Sequence, residues 1–370
     1  MNSLSYNILM FVYNDLNNDA RVQKSALALS EYGSLTVIST GKDTFFTDKY
    51  DNVVFEPTAR KSIFKYLQFV FFVLNYYREV KYHVVYSHDY FTALPMLIIK
   101  LLSRRTKYIY DAHELFIPYK NERITRRERF FYYFEKRAIK SADLVVCAQQ
   151  QRSEIMKEHF NLSRLPLVIR NITELTKTNI YKNPELDRFM SIEGITVVYA
   201  GVISQDRNIG ALIDLLENAN NYKLLVIGDG NDRANINHKV KNINSNRIMC
   251  INSVPHSQLY SVLVRCDIGF LSYPLNKLNN QFCAPNKIFE YASAGLAMVS
   301  KYNPTIKYEL DTYNIGVCDD DILSAIETVS NNLEFYKSKL DNFLRENTWG
   351  KEVQKLKDEI EGILNTVITN

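Results

Sequence analysis

Glycine is scarce in this sequence, with 12 in 370 residues, and no Gly/Ser-rich or Pro-rich tract interrupts it. A floppy tether between domains is excluded, so any junction must be compact. Cysteine is scarcer still. The five thiols, Cys147, Cys250, Cys266, Cys283 and Cys318, are scattered and odd in number, without disulfide-framework or metal-ligand spacing. They read as buried thiols in a reducing cytoplasm. Long apolar runs are missing too: in the aromatic-rich stretch the cleanest one, Phe69 to Leu74, is too short to cross a bilayer. Met1 to Tyr6 are few and polar, and the apolar Ile8-Leu9-Met10-Phe11-Val12 that follows reads as a first core strand rather than a secretory signal.

Signature loops are wanting as well. There is no His-Glu-x-x-His, no paired Cys-x-x-Cys, no Walker loop and no complete Gly-x-Gly-x-x-Gly. That weighs against metalloprotease, phosphotransferase and nicotinamide chemistry. No convincing pair of opposed carboxylates suggests glycoside hydrolysis. Internal repeats and low-complexity segments are absent.

What is present is a regular alternation. At 370 residues, 46% apolar and 23% charged, the chain suits two packed domains. Strand-like runs at Asn7–Tyr13, Leu35–Ser39, His83–Tyr86, Lys107–Tyr110 and Leu144–Cys147 alternate with helical patterns at Ala20–Tyr32, Ile63–Tyr77, Thr92–Leu102 and Thr125–Lys140. Gly33 reads as the residue that ends the first helix. The pattern fades after Val168-Ile169-Arg170-Asn171 and resumes at Ile195–Ala200. From there Tyr222–Ile227, Arg247–Ile251, Ile268–Ser272 and Ala297–Ser300 read as strands, with helices at Ile209–Ala219, Lys287–Ala294, Ile322–Phe343 and Gly350–Val367. Such alternation predicts parallel sheets with helices on both faces. The expected domains are 1–185 and 186–349, with the helix at 350–370 packing back on the first.

Charge is uneven. Between Arg60 and Lys140 stand 17 Lys/Arg against 7 Asp/Glu, a local +10 in a chain of net +4, so the remainder carries −6. A basic patch suits phosphates, an anionic membrane face or nucleic acid. The stretch Ile63–Tyr82 adds Phe64, Tyr66, Leu67, Phe69, Phe71, Phe72, Tyr76 and Tyr77, with Arg60, Lys61, Lys65, Arg78 and Lys81 around them. It fits either shallow contact with an anionic bilayer or a core helix with solvated ends. No basic–aromatic module of known spacing points to nucleic acid.

The strongest motif is Pro285-Asn286-Lys287-Ile288-Phe289-Glu290-Tyr291-Ala292-Ser293-Ala294-Gly295. Proline at the start and glycine at the end define a short helix. The free N–H groups of such a start form a diphosphate site, to which Lys287 adds a cation. Glu290, one turn in, is placed to accept hydrogen bonds from two ribose hydroxyls. An ordinary amphipathic helix with solvated Lys and Glu would read the same way.

This segment resembles the donor-binding helix of family 4 glycosyltransferases, in the branch with a Pro-Asn-Lys-x-Phe-Glu-Tyr core. Asp19-Ala20-Arg21-Val22 with Leu29 and Gly33, Tyr110-Asp111-Ala112-His113-Glu114, Tyr199-Ala200-Gly201 with Arg207, and Cys266-Asp267-Ile268-Gly269-Phe270-Leu271 resemble other parts of that family in the same order. The resemblance implies the GT-B fold, two Rossmann-like doubly wound α/β domains facing across a cleft. It implies retaining transfer from a nucleotide diphosphate sugar, with uridine the expected base and no metal or other cofactor. On that reading Arg207 and Lys287 hold the diphosphate, Glu290 binds the ribose and Gly201 admits the phosphates. His113 contacts donor sugar or acceptor at the cleft. Pro285 and Asn286 belong to the helix start, and Asp19, Arg21 and His88 are substrate-side candidates.

Two departures stand out. The wider family pattern has a first glutamate where this chain has Phe282, so Asn280 or Asn286 would substitute. Asn17-Asn18-Asp19-Ala20 replaces a glycine pair, leaving donor contacts from that loop undefined. Of the other histidines, His83 reads as structural, while His159, His238 and His256 show no partner in sequence. Asp319-Asp320-Asp321 contains an Asp-x-Asp pattern but directly precedes a helix, so it reads as a cap with an acidic first turn.

The expected partners are a nucleotide-sugar donor, a saccharide or lipid-linked acceptor and an anionic membrane surface, and not nucleic acid. The expected setting is the cytoplasm, peripheral on the inner membrane face, in capsule or other cell-surface polysaccharide synthesis. A sugar-nucleotide epimerase on the same fold and a non-catalytic nucleotide or membrane binder are the competing readings.

Overall fold

The computed structural model describes residues 6–41, 47–118, 123–175, 177 and 179–368; the first five residues of the polar opening lie outside that set. The chain divides into two compact units, one of Met1–Asn171 with Gly350–Asn370 and one of Ile172–Trp349. The division falls earlier than the 185/186 boundary read from the pattern. The segment after Asn171 is polar in composition, but its few apolar residues are anchored in the second unit: Ile172, Leu175, Leu186 and Phe189 all join that unit's core.

In the first unit a seven-stranded sheet runs β1 (Tyr6–Asp15), β2 (Gly33–Thr40), β3 (Asp51–Phe55), β4 (Val84–His88), β5 (Lys107–Ala112), β6 (Leu144–Cys147) and β7 (Leu167–Val168) along the chain. The spatial order is β3-β2-β1-β4-β5-β6-β7, and every pair is parallel. β4 and β6 are buried at every residue. Parallel strands covered on both faces need this continuous burial, which explains why they show no polar alternation. Strand β3 and the two-residue β7 escaped the sequence reading, as did the helix Gln150–Phe160.

The second unit carries β8 (Ile195–Ala200), β9 (Tyr222–Ile227), β10 (Ile248–Ile251), β11 (Ile268–Leu271), β12 (Ala297–Ser300) and β13 (Gly316–Cys318), in the spatial order β10-β9-β8-β11-β12-β13. These pairs are parallel too. Its strands split their side chains between two cores: Val198, Ala200 and Leu225 face one, Val197, Tyr199 and Leu224 the other. Helices therefore cover both faces. The stretch 322–343, read as one helix, breaks at Asn332 into Ile322–Asn331 and Leu333–Glu346.

Both sheets reverse their strand order beside their first strand, at β1/β4 and at β8/β11. In open parallel sheets the crevice beyond the carboxyl ends at such a reversal is where ligands sit.

The last helix, Trp349–Ile368, belongs to the first unit. It buries Leu356, Ile360 and Leu364. Glu361 accepts from the Tyr32 hydroxyl at 3.0 Å, Lys357 donates to Glu31 at 2.6 Å, and Glu352 accepts from the Arg170 N–H at 2.8 Å. Gly33 does more than end a helix. It opens β2 at φ +150°, and a Cβ there would lie 2.2 Å from the Tyr6 carbonyl oxygen.

Candidate functional site

In the second unit the motif helix spans Asn286–Ser293, with Pro285 extended before it and no side chain capping its N-terminus. Ile288, Phe289 and Tyr291 hold its inner face in the core, with the Phe289 ring stacked 5.5 Å from Phe343. Tyr291 does a specific job. Its hydroxyl accepts from the Ala200 N–H at 2.9 Å and donates to the Phe270 carbonyl at 3.3 Å. The helix is thereby pinned to the carboxyl ends of β8 and β11. Gly269 makes room for this, since a Cβ on it would lie 2.3 Å from the Tyr291 ring.

On the other side of the helix Lys287 Nζ donates to Glu290 Oε2 at 2.5 Å. Glu290 is almost fully buried while Lys287 keeps a quarter of its side chain exposed. His256, which showed no partner in sequence, places Nε2 4.0 Å from Glu290 Oε1.

Arg207 ends a short turn, Gln205–Arg207, after β8. One guanidinium nitrogen, Nη1, donates to the Ser272 carbonyl at 2.7 Å, and the guanidinium carbon sits 4.1 Å from the Tyr273 ring centre. Ser272 and Tyr273 directly follow β11, so Arg207 bridges the two strands that flank the reversal. Burial pushes the Tyr273 phenol well up; Arg207 opposes the shift and Glu290 reinforces it, so both charges lie near that ring.

Gly201 presents a different picture from the one its sequence context suggests. A Cβ at Gly201 would press on the Tyr199 hydroxyl at 3.3 Å, a tight contact but one with a side chain and not with backbone. The obligatory glycines are its neighbours: at Gly228 and Gly230, both at positive φ, a Cβ would lie 1.8 Å from the Gly201 carbonyl oxygen and 2.2 Å from that of Ile203. Two loops at the sheet edge are locked backbone to backbone. Asn280 lies outside the motif helix, its amide donating to Asn276 at 2.9 Å. Asp321 caps the helix after the Asp triplet, accepting from the Ser324 N–H at 3.1 Å.

In the first unit, Asp19, Arg21, His88 and His113 converge at the end of the sheet around Asp111, the fifth residue of β5. Arg21 is buried. It forks onto both Asp111 oxygens at 2.7–3.2 Å and donates Nη1 to the Ile169 carbonyl at 2.7 Å. That guanidinium is committed to holding the sheet edge rather than presented as a binding group. Burial pulls the Asp111 carboxyl up, but the Arg21 charge beside it outweighs that and holds it well below the usual range. Tyr86 also donates to Asp111, at 3.2 Å.

His88 stacks on Tyr86 with ring centres 4.4 Å apart and joins His113 Nε2 through Nδ1 at 3.0 Å. Burial lowers the His88 imidazole, so it stays neutral. Its Nε2 finds no partner among the described residues. His113 Nδ1 lies 4.0 Å from Asp19 Oδ2, while Asp19 caps the helix Ala20–Leu29 by accepting from the Val22 N–H. His88, Asp111 and His113 offer atoms within 4.8 Å of one another that could ligate a metal. Here Asp111 already takes the positive charge of Arg21.

Two carboxyls close by, Glu135 buried and Asp89 half-buried, were not legible in sequence. Glu135 accepts from the Tyr110 hydroxyl at 2.9 Å and is pushed well up by burial and by Asp89. Asp89 adopts a left-handed backbone at φ 68° and is pushed up to about 6. His83 is structural: its Nδ1 accepts from the Asn7 N–H at 2.9 Å.

Solved structures match this chain almost end to end. Sucrose-phosphate synthase from Thermosynechococcus elongatus aligns with a TM-score of 0.72 at 12% identity, over 98% of this chain and 100% of that one. The Anabaena protein HepE, solved with UDP and glucose, gives 0.72 at 14% identity, over 96% and 100%. WaaG, described as a glycosyltransferase involved in lipopolysaccharide biosynthesis, gives 0.69 at 11% identity, over 96% and 100%. The fold is GT-B. The sequence profile of Glycosyltransferase Family 4 matches residues 31–175 of this GT-B chain, nearly all of them in its first unit. No curated protein sequence matches significantly. Both sheets reverse their strand order beside their first strand, and a function has to be argued from the residues there and not from the fold.

Proposed function

We propose that this chain is a retaining glycosyltransferase that uses a nucleotide diphosphate sugar, with a UDP-sugar the preferred donor class. The observation that carries the reading is the motif helix. Its N-terminus is uncapped by any side chain, it has a Lys287–Glu290 pair on its outer side, and Tyr291 pins it to the strands at the sheet's reversal. Helix N–H groups and a first-turn cation bind a diphosphate, and Glu290 accepts from ribose hydroxyls. Arg207 and Lys287 stabilise the charge that grows on the leaving phosphate, in a site that needs no metal. HepE was solved with UDP and glucose, with UDP and with UDP-glucose, which supports the choice of base.

The acceptor is assigned to the first unit, near His113. It is a saccharide or a lipid-linked sugar, made at the cytoplasmic membrane face for surface polysaccharide such as capsule. Exposed apolar side chains support the membrane part: Ile63, Phe64, Leu67 and Phe71 on the helix Ser62–Glu79, and Phe130 and Tyr133 on the helix Arg126–Ser141. Apolar side chains with a basic surround suit shallow insertion among anionic headgroups. No helix among the described residues is long and apolar enough to cross a membrane.

The test is incubation with UDP-glucose, UDP-galactose, UDP-N-acetylglucosamine and their GDP counterparts, following released nucleotide diphosphate and the sugar by NMR. Slow release that rises sharply with a glycosyl acceptor, with the anomeric configuration kept, is expected. A sugar altered while still on its nucleotide would make the chain an epimerase. Binding without turnover would make it a silent binder.

A further inference from the structure

Arg207 would be a poor ligand if left to itself. It ends a three-residue turn, and the next residue, Asn208, is left-handed at φ 54°, so its backbone is irregular on both sides. A long side chain on such a loop samples many rotamers and loses that freedom on binding, which weakens the interaction. The structure removes that freedom in advance. Ser272 takes one Nη1 proton through its carbonyl at 2.7 Å, and the Tyr273 ring lies under the guanidinium at 4.1 Å. Arg207 Nε and Nη2 make no hydrogen bond among the described residues, so those donors remain uncommitted while Nη1 and the guanidinium face are held. Tyr273 can serve as a rigid base because, half-buried, it packs against the second unit's core.

We propose that Tyr273 is a positioning residue for Arg207: its ring holds the guanidinium aimed at the diphosphate of the bound nucleotide. The inference rests on the donor-site reading above and adds to it a residue that touches no substrate. Cation–ring contact of this kind is strongest where water is excluded, and the planar guanidinium stacks as a lysine ammonium could not. The contact also joins the two strands at the reversal, so the aim of Arg207 is set by β11 rather than by its own loop.

The test compares Kd for UDP, GDP and ADP with Kd for uridine, using wild type, Arg207→Ala, Tyr273→Leu, Tyr273→Phe and the Arg207→Ala/Tyr273→Leu double variant. The diphosphate held most tightly by wild type serves as probe. Arg207→Ala should weaken it roughly tenfold or more, while uridine binding is unchanged. Tyr273→Leu should weaken it by roughly fivefold, again sparing uridine, and Tyr273→Phe should restore it. In the Arg207→Ala background Tyr273→Leu should cost nothing more. Equal losses in both backgrounds, or equal losses of diphosphate and uridine, would make Tyr273 a packing residue and overturn the proposal. If Arg207→Ala lowers diphosphate affinity and Tyr273→Leu does not, the positioning role fails while the donor site stands. No binding of any nucleoside diphosphate to wild type would remove both.

Discussion

Lys287 and Glu290, assigned from sequence to different parts of one nucleotide, donate and accept a hydrogen bond with each other at 2.5 Å. Spacing of three residues on one helix puts them side by side. The pair keeps a nearly buried carboxylate compensated, and on the proposed donor reading a diphosphate at the helix start would compete with Glu290 for the lysine. Removing either residue should therefore have two distinct effects.

Lys287→Ala should lower turnover by roughly 10²–10³-fold, the range for losing a group that meets developing charge, and Glu290→Ala should lower kcat/KM by roughly tenfold or more through the lost ribose hydrogen bonds. Lys287→Ala should also lower Tm, because it strands Glu290, whereas Lys287→Ala/Glu290→Gln should recover part of that loss without recovering activity. Steady-state rates with far-UV circular dichroism melts check both. Near-normal turnover in either single variant would count against the donor assignment.

Arg21 and Asp111 should prove indispensable for stability. Their fork is buried, so Arg21→Ala is expected to destabilise the first unit by about 3–5 kcal/mol. Arg21→Lys should rescue little, since an ammonium cannot reproduce the bidentate geometry. Denaturant titration measures this. A loss of activity in Arg21→Ala at full stability would return Arg21 to the list of binding groups.

Gly201 and Gly228 should separate sharply. Gly228→Ala forces a Cβ into the Gly201 carbonyl and should prevent the second unit from folding, while Gly201→Ala meets only a side-chain hydroxyl. Expression yield and melting report the difference. If Gly201 also admits phosphate, Gly201→Ala should weaken UDP binding while Tm barely moves.

Asp89 should make stability fall as pH rises. Its folded carboxyl titrates at about 6 against an ordinary 3.8, so between those values the folded state holds more protons than the unfolded one. Stability from this group is full below pH 3.8 and is lost as pH passes 6. Asp89→Asn is nearly the same size and shape and removes the charge. Its Tm advantage over wild type should be small near pH 4, grow to pH 6 and then level. An advantage independent of pH would refute the assignment.

Much of the fold was written in the pattern of the chain. The strands Ile195–Ala200, Tyr222–Ile227, Leu144–Cys147 and Ala297–Ser300 are found where apolar runs between turn signals placed them, because a parallel strand covered on both faces must be apolar throughout. The motif helix was equally legible from its proline and glycine. Strand β3, the two-residue β7 and the helix Gln150–Phe160 were not, since short or polar segments take their structure from neighbours rather than from their own periodicity.

The candidate residues were legible in kind and not in role. Local order along the chain determined that histidine, arginine, lysine and glutamate would stand at strand ends and a helix start, because those positions follow from short-range patterns. Contacts between distant residues decided what each does. Arg21 meets Asp111 across 90 positions, Arg207 meets Ser272 across 65, and Ala200 meets Tyr291 across 91. Whether a charge is spent inside the protein or left facing outward depends on which partner the folded sheet brings within 3 Å. That proximity exists only in three dimensions.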